Sequence, residues 1–451
     1  MVATLVRLSA PTKSVLRVLV VAALGLVASV ADASPKRVKP DYDGRGNADA
    51  KPGMWVLWIP RVMLSPLYLV NEYVMRRPLG ALVKRAERRR WVNDATALFK
   101  FGKGGNSVTA PTALFDLGLL PRVGIYFASN DRFAEGNEIA VQAATWGPRL
   151  NSVTVRDRYT WKSTGTSLAV RGDFLRETDL LYFGTGPDVT ESTRSRYGLQ
   201  RFDGGLVFQQ PVSAEGSVTL ATGVRAVGYR AGACCGDPSL DTRIMATELA
   251  SPPGYGTSYD ALYQRLEVML DTRDPRAAPG SGAFLEMHTE TSFDVKNDRS
   301  WLELGGVAGF AIDLNRRHRT ISVQAGVEYV DPIRGGTVPF NELSSPSPSQ
   351  MPGFVQGWMI GRSTFAAQVG YTWPIYAGLD AQTHVSTGNA FGGHLAGLAA
   401  DKLRLSWDVG VTTTGKRDQG FELLFGLGST TFEQGTDITS VRVSFGSRRG
   451  F

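Results

Sequence analysis

The chain has 451 residues, 43% hydrophobic and 10% aromatic, with 51 glycines and a mean hydropathy of -0.11. Its formal charge of +7 is mild for that length and does not imply a nucleic-acid partner, and two adjacent cysteines cannot make a disulfide framework. Beyond the leader there is no run of about 18 apolar residues, which excludes spanning helices but leaves open a β-barrel, whose apolar side chains occupy alternate positions.

Residues 1–33 read as a secretory signal: Arg7, Lys13 and Arg17 precede the apolar run Val18–Val30, and Ala31-Asp32-Ala33 supplies the cleavage region before Ser34. A short membrane anchor is the alternative, but the run is shorter than the ~20 residues a spanning helix needs. Removing that segment, which holds three basic residues and one acid, leaves 418 residues and a charge of +5. Residues 34–53 are rich in Pro, Gly, Lys and Asp without apolar periodicity, and read as a flexible linker.

Residues 54–104 read as helical. Trp55, Trp58, Ile59, Leu64, Leu67, Tyr68 and Val70 form an apolar surface interrupted by Pro60, Pro66 and Pro78. Arg76, Arg77, Lys84, Arg85, Arg88, Arg89 and Arg90 then face only Glu87. Tryptophan beside cationic side chains suits a helix lying in a membrane interface at the periplasmic face, or a helical cap on the periplasmic mouth of a barrel.

From about residue 105 to 451 the period becomes two, with turn residues between segments. Sixteen segments result, near 106–114, 120–129, 138–147, 151–161, 164–175, 197–209, 216–229, 259–271, 282–293, 300–313, 319–330, 364–374, 378–387, 402–412, 420–429 and 437–446. Leu403, Leu405, Trp407, Val409 and Val411 alternate with Lys402, Arg404, Ser406, Asp408 and Gly410. The pattern predicts an all-β transmembrane fold, a 16-stranded antiparallel outer-membrane β-barrel with lipid outside and a polar lumen. A soluble β-sandwich would show the same alternation, but the even count, the export signal and the terminal aromatic favour the barrel. Connections after the fifth, seventh and eleventh segments, about 176–196, 230–258 and 331–363, are the long ones expected outside the cell. Cys234 and Cys235 read as two thiols in one of them, an adjacent pair being able to close only a strained ring.

Four segments carry a family resemblance. Leu270-Asp271-Thr272-Arg273-Asp274 with Pro279 and Gly282 is similar to a D-x-R-D…P-x-x-G turn, and Tyr182-Phe183-Gly184-Thr185-Gly186-Pro187-Asp188 to an aromatic-G-x-G-P-D loop. Val338-Pro339-Phe340-Asn341-Glu342-Leu343, Met351-Pro352-Gly353-Phe354 and Gly361-Arg362-Ser363 resemble a long loop after the eleventh strand. Tyr371-Thr372-Trp373-Pro374-Ile375 and Gly388-Asn389-Ala390-Phe391 resemble the strand and turn that follow. In this order they resemble the BamA/TamA superfamily of bacterial surface-antigen barrels, related to outer-membrane assembly and two-partner secretion transporters. The final strand Val441, Val443, Phe445, with Phe451 in phase, resembles the signal such barrels show to their own assembly machinery.

The resemblance implies a sixth loop whose Arg-Gly-aromatic tip pairs with lumenal acids. Here Pro352 stands at the arginine position, and Gly370 and Ser386 at the acidic ones. Losing cation and acids together avoids the cost of a stranded charge. The loop is therefore expected to fold inward around Pro352, Gly353, Phe354 and Trp358, held by packing, with Arg362 as a displaced substitute. No periplasmic POTRA-type module is expected, because residues 34–104 are too few, too basic and too helical in pattern to encode one.

Site chemistry is otherwise thin. His384-Val385-Ser386 evokes the His-x-Ser pair of outer-membrane phospholipases, yet its parity turns both residues to the lumen, where a lipase cannot use them. Glu286, His288 and Glu290 share an inward face and read as lumenal polar residues paired with arginines such as Arg225 and Arg265, rather than as an acid-base or cation site. Gly184-x-Gly186 is no phosphate loop, since no helix follows it. No cofactor, resident metal or catalytic residue is expected. The reading is a protein or lipid insertion, assembly or transport platform whose partners are outer-membrane lipids, the assembly machinery and a protein or lipid client. Alternatives are a passive channel, a structural surface antigen or, further off, a lipid hydrolase.

Overall fold

The computed structural model describes residues 105–449 except 274–279, 315–318, 335, 377–378 and 414–418, together with Tyr73, Ala81 and 100–102. The predicted interface-helix residues Trp55, Trp58, Arg76, Arg77, Lys84, Arg85, Arg88, Arg89 and Arg90 lie outside the described residues, as do Asp274, Pro279 and Phe451.

Sixteen strands form one closed antiparallel barrel. They are β1 Ser107–Asp116, β2 Arg122–Asn130, β3 Asn137–Thr145, β4 Leu150–Thr160, β5 Ser167–Tyr182, β6 Ser195–Pro211, β7 Gly216–Ala231 and β8 Tyr259–Asp271. The second half comprises β9 Gly282–Asp294, β10 Arg299–Asp313, β11 Thr320–Arg334, β12 Ser363–Tyr376, β13 Leu379–Phe391, β14 Arg404–Thr413, β15 Gln419–Thr431 and β16 Ile438–Arg449. A two-residue strand, Lys100–Phe101, lies beside the start of β1. Each strand pairs with its sequence neighbours, and β16 returns to β1, so the sheet closes on itself, though over few positions at that one junction.

All sixteen predicted segments are strands, and the largest boundary error is at β5, which runs seven residues beyond its expected end to Tyr182. Alternation sets the faces. On β14, Leu405 and Trp407 are about 40% exposed outward, whereas Arg404, Ser406 and Asp408 are almost wholly buried inward. Val153, Val170, Leu262, Leu304, Val369, Val385 and Phe425 extend the apolar outer wall. Such a continuous apolar belt is disfavoured against water and matches hydrocarbon. Lys402 departs from expectation: β14 begins at Arg404, and Lys402 sits in the preceding connection, paired with Asp188 (2.9 Å) and Glu433 (2.5 Å).

The long connections 183–194, 232–258 and 335–362 gather at one mouth, and short turns such as 212–215 close the other. A short helix, α1 Leu240–Met245, lies in the second of these and is capped by the Ser239 hydroxyl, which accepts from the Thr242 amide (3.1 Å). Cys234 and Cys235, in the same connection, are bonded to each other rather than present as two thiols. The apolar core lies inside the barrel at the long-loop end, where residues 336–362 fold down into the lumen.

Candidate functional site

The inward loop is fastened at two points, and the first is Phe340-Asn341-Glu342. Phe340 is fully buried amid the rings of Tyr182, Tyr197, Tyr229 and Tyr255, with centroids 5.0–5.8 Å away. Beside it the carboxylate of Glu342 accepts from Arg225 Nη1 (2.6 Å) and from the Tyr259 hydroxyl (2.5 Å). Arg225 also reaches Asp203 (2.7 Å) and Glu290 (3.0 Å), so one buried guanidinium gathers three acids from β6, β9 and the loop. Asn341 completes the anchor by donating to Tyr259 Oη (2.7 Å) and accepting from the Tyr229 hydroxyl. Tyr255, in the 232–258 connection, is raised above its ordinary pKa by burial and by its bond to Asp241, so it remains a neutral part of this cluster.

The sequence predicts packing without an ion pair at the tip; the ion pair that holds the loop lies instead at this first fastening, with the acid on the loop and the cation on the wall. The loop cation is absent because the strand positions it would meet, Gly370 and Ser386, are neutral. Arg225 and Glu342 are partners in space only, 117 residues apart in the chain, and no local pattern joins them.

The second fastening is the tip. Gly353 N donates to Ser406 Oγ (2.7 Å), its carbonyl accepts from Ser440 Oγ (2.8 Å), and the Pro352 carbonyl accepts from Arg442 Nη1 (3.4 Å). Glycine is required at 353 by this close approach, because a Cβ there would overlap the Leu427 carbonyl. Phe354 and Trp358 are 2% and 3% exposed, with rings 5.5 Å apart, and Trp358 stacks at 4.1 Å on Phe183. The aromatic-G-x-G-P-D segment therefore packs against the loop, and the Gly186 amide donates to the Ile360 carbonyl (2.8 Å). Gln368 on β12 donates to the Ser349 carbonyl (2.9 Å), taking with neutral groups the place of an ionic grip.

Arg362 does not join the tip. It pairs with Asp331 at the end of β11 and is largely solvent-exposed, so it is no substitute for a tip arginine. Asp271 and Arg273 form a bidentate pair at the opposite end (2.8 and 2.9 Å), the guanidinium lying 4.1 Å from the Phe284 ring centroid, and Gly282 opens the next strand. His384 does face the lumen, bonded through Nδ1 to Asp408 (3.0 Å), and Ser386 accepts from Gln368 (3.0 Å).

The tip stands beside the closing junction of the barrel. Among the described residues β16 meets β1 over three pairs, Ser444↔Asp116, Phe445↔Phe115 and Gly446↔Leu114, with one more bond from the Leu117 amide to the Val443 carbonyl (2.9 Å), while every other junction pairs over at least eight. Val443 and Phe445 point outward, and Phe445 lies 6.4 Å from Phe115 across the seam. Inside, Arg442 binds Asp116 through Nε (2.9 Å) and Nη2 (2.7 Å) while holding the Pro352 carbonyl. A cavity of about 410 Å3 abuts this point, bounded by Pro352, His384, Glu422, Arg442 and the seam residues Leu114 and Gly446.

No family model matches the sequence, and no curated protein matches it. Solved structures do. The fold resembles that of a BamA barrel. Against BamA from Haemophilus ducreyi lacking POTRA domains 1–3, the TM-score is 0.55 at 12% identity, covering 76% of this chain and 70% of that one. CdiB from Acinetobacter baumannii gives 0.47 at 10% identity, with 76% of this chain matched and 59% of that one. At 12% identity the likeness to BamA shows the barrel architecture alone, and the reversed anchor distinguishes this lumen from what the sequence resemblance implied.

Proposed function

We propose that this chain is an outer-membrane platform of the BamA/TamA type, on which a protein or lipid client passes or inserts beside the β1–β16 seam. The observation that carries the proposal is the three-pair closure, set against eight or more pairs elsewhere. Fewer ladder bonds mean a smaller local opening free energy there than at any other junction. The loop tip and the seam share Arg442, so lifting the tip removes one of that guanidinium's partners and loosens the seam from inside. The basic, tryptophan-rich segment 54–104 supplies a membrane-facing surface in this proposal, and the mechanism is physical, with no catalytic residue.

The test is a cysteine pair, Phe115→Cys with Phe445→Cys, in vesicles carrying a fluorescent phospholipid and an unfolded barrel client. Disulfide closure is expected to suppress both lipid movement and client insertion, with reduction restoring them. Equal activity of the oxidised and reduced forms would overturn the proposal. A passive channel is the competing class, and the filled long-loop mouth disfavours it: planar bilayers should show no large steady conductance.

A further inference from the structure

Away from the loop fastening and the seam, the lumenal wall carries an imidazole and two carboxylates on three successive strands. His288 of β9, Glu303 of β10 and Glu328 of β11 offer one ligand atom each, and these atoms all lie within 4.8 Å of one another. His288 Nε2 is 3.1 Å from Glu303 Oε1 and 4.0 Å from Glu328 Oε2. Its Nδ1 is buried without a partner, so Nε2 is the nitrogen that meets the acids.

The register explains how residues two strands apart converge. Gly305 is the cross-strand partner of both His288 and Glu328. A Cβ at 305 would stand 2.8 Å from His288 Nε2 and 3.1 Å from Glu328 Cγ, so the missing side chain is the hollow into which both groups lean. Charge is a second, independent observation. Arg265 serves Glu303 (3.4 Å), Glu290 (3.6 Å) and Glu267 (3.7 Å), whereas among the described residues Glu328 forms no ion pair with lysine or arginine. A carboxylate turned to the lumen beside an imidazole thus has no lysine or arginine of its own.

We infer that His288, Glu303 and Glu328 form a binding site for a first-row divalent cation, with zinc as the best fit. Zinc takes imidazole nitrogen and carboxylate oxygen at about 2.0–2.2 Å in tetrahedral geometry, which places ligand atoms roughly 3.3 Å apart. One observed edge already has that length, and the others close by rotation of the two glutamate side chains. The oxygen on that edge, Glu303 Oε1, also meets Arg265 Nη1 at 3.4 Å, so Arg265 moves to the other carboxylate oxygen or to Glu290 when the metal binds. The fourth position faces the lumen and is left to water. Imidazole among the ligands favours zinc over calcium or magnesium, which select oxygen alone.

The test uses the full-length barrel, folded in detergent, stripped with EDTA and titrated with Co2+ and Zn2+ near pH 7.5. Cobalt is expected to give one saturable visible absorption band per barrel, displaced by one equivalent of zinc. His288→Ala and Glu328→Gln should each weaken zinc binding by at least the roughly 10- to 100-fold that loss of an outer-shell partner costs. Heat-modifiable gel mobility and circular dichroism identify which variants have folded, and Glu328→Gln, nearly isosteric, serves if His288→Ala does not. Absence of stoichiometric binding, or unchanged affinity in a folded variant, would overturn the assignment and leave His288 as a lumenal hydrogen-bonding group.

Discussion

Replacing Arg225 with methionine tests the reversed anchor most sharply. The side chains of Arg225 and Glu342 are 8% and 5% exposed, and the pair is 2.6 Å apart. Asp203 would retain Arg201 (2.5 Å) and Glu290 would retain Arg265 (3.6 Å), so the charge truly stranded is that of Glu342. Removing one partner of a buried pair costs about 3–5 kcal/mol, because the other is left uncompensated. At 1.4 kcal/mol per decade, that is more than about a hundredfold in the ratio of released to seated loop. Limited proteolysis of the 335–362 connection in lipid vesicles reads this ratio, since only the released loop is cut. Arg225→Met should be cut at least a hundredfold faster, and adding Glu342→Gln should recover more than half of the loss in free energy, because no charge remains stranded. A double variant as labile as the single one, or a single variant cut at the wild-type rate, would refute the anchor.

Three further outcomes are expected. Phe354→Ala or Trp358→Ala leaves a cavity in the lumenal core and should destabilise the seated tip by about 3–5 kcal/mol, read by the same proteolysis. Arg442→Gln removes both the Asp116 bond and the grip on Pro352, and spin labels placed on β1 and β16 should show a broader distance distribution than in the parent barrel. Ser386→Ala should leave phospholipid hydrolysis in vesicles at the background of the parent protein, since its hydroxyl is engaged by Gln368.

The barrel was legible because hydrophobic period two is a local property: Leu405 and Trp407 against Arg404 and Ser406 declare their faces without knowledge of any neighbour. Connection lengths followed from the same count. Phe354 and Trp358 could be placed in the lumen through the resemblance of their loop to the inward-reaching sixth loop of the BamA/TamA superfamily, whereas Arg362, near in sequence, pairs locally with Asp331. The anchor was illegible for the opposite reason. Arg225 to Glu342 spans 117 residues, and Asp116 to Arg442 spans 326, so each is an ordinary charge in a polar stretch until closure of the barrel brings its partner alongside. Lys402 was misplaced because the alternation continues two residues beyond the strand that β15 can pair with.

Hydrogen exchange of the barrel in nanodiscs addresses the seam itself. Amides of β1 and β16 that point across the closing junction should exchange at least about tenfold faster than those joining β6 to β7, which pair over fifteen positions. The Glu342→Gln variant should widen the gap. Equal protection at the two junctions would contradict the account.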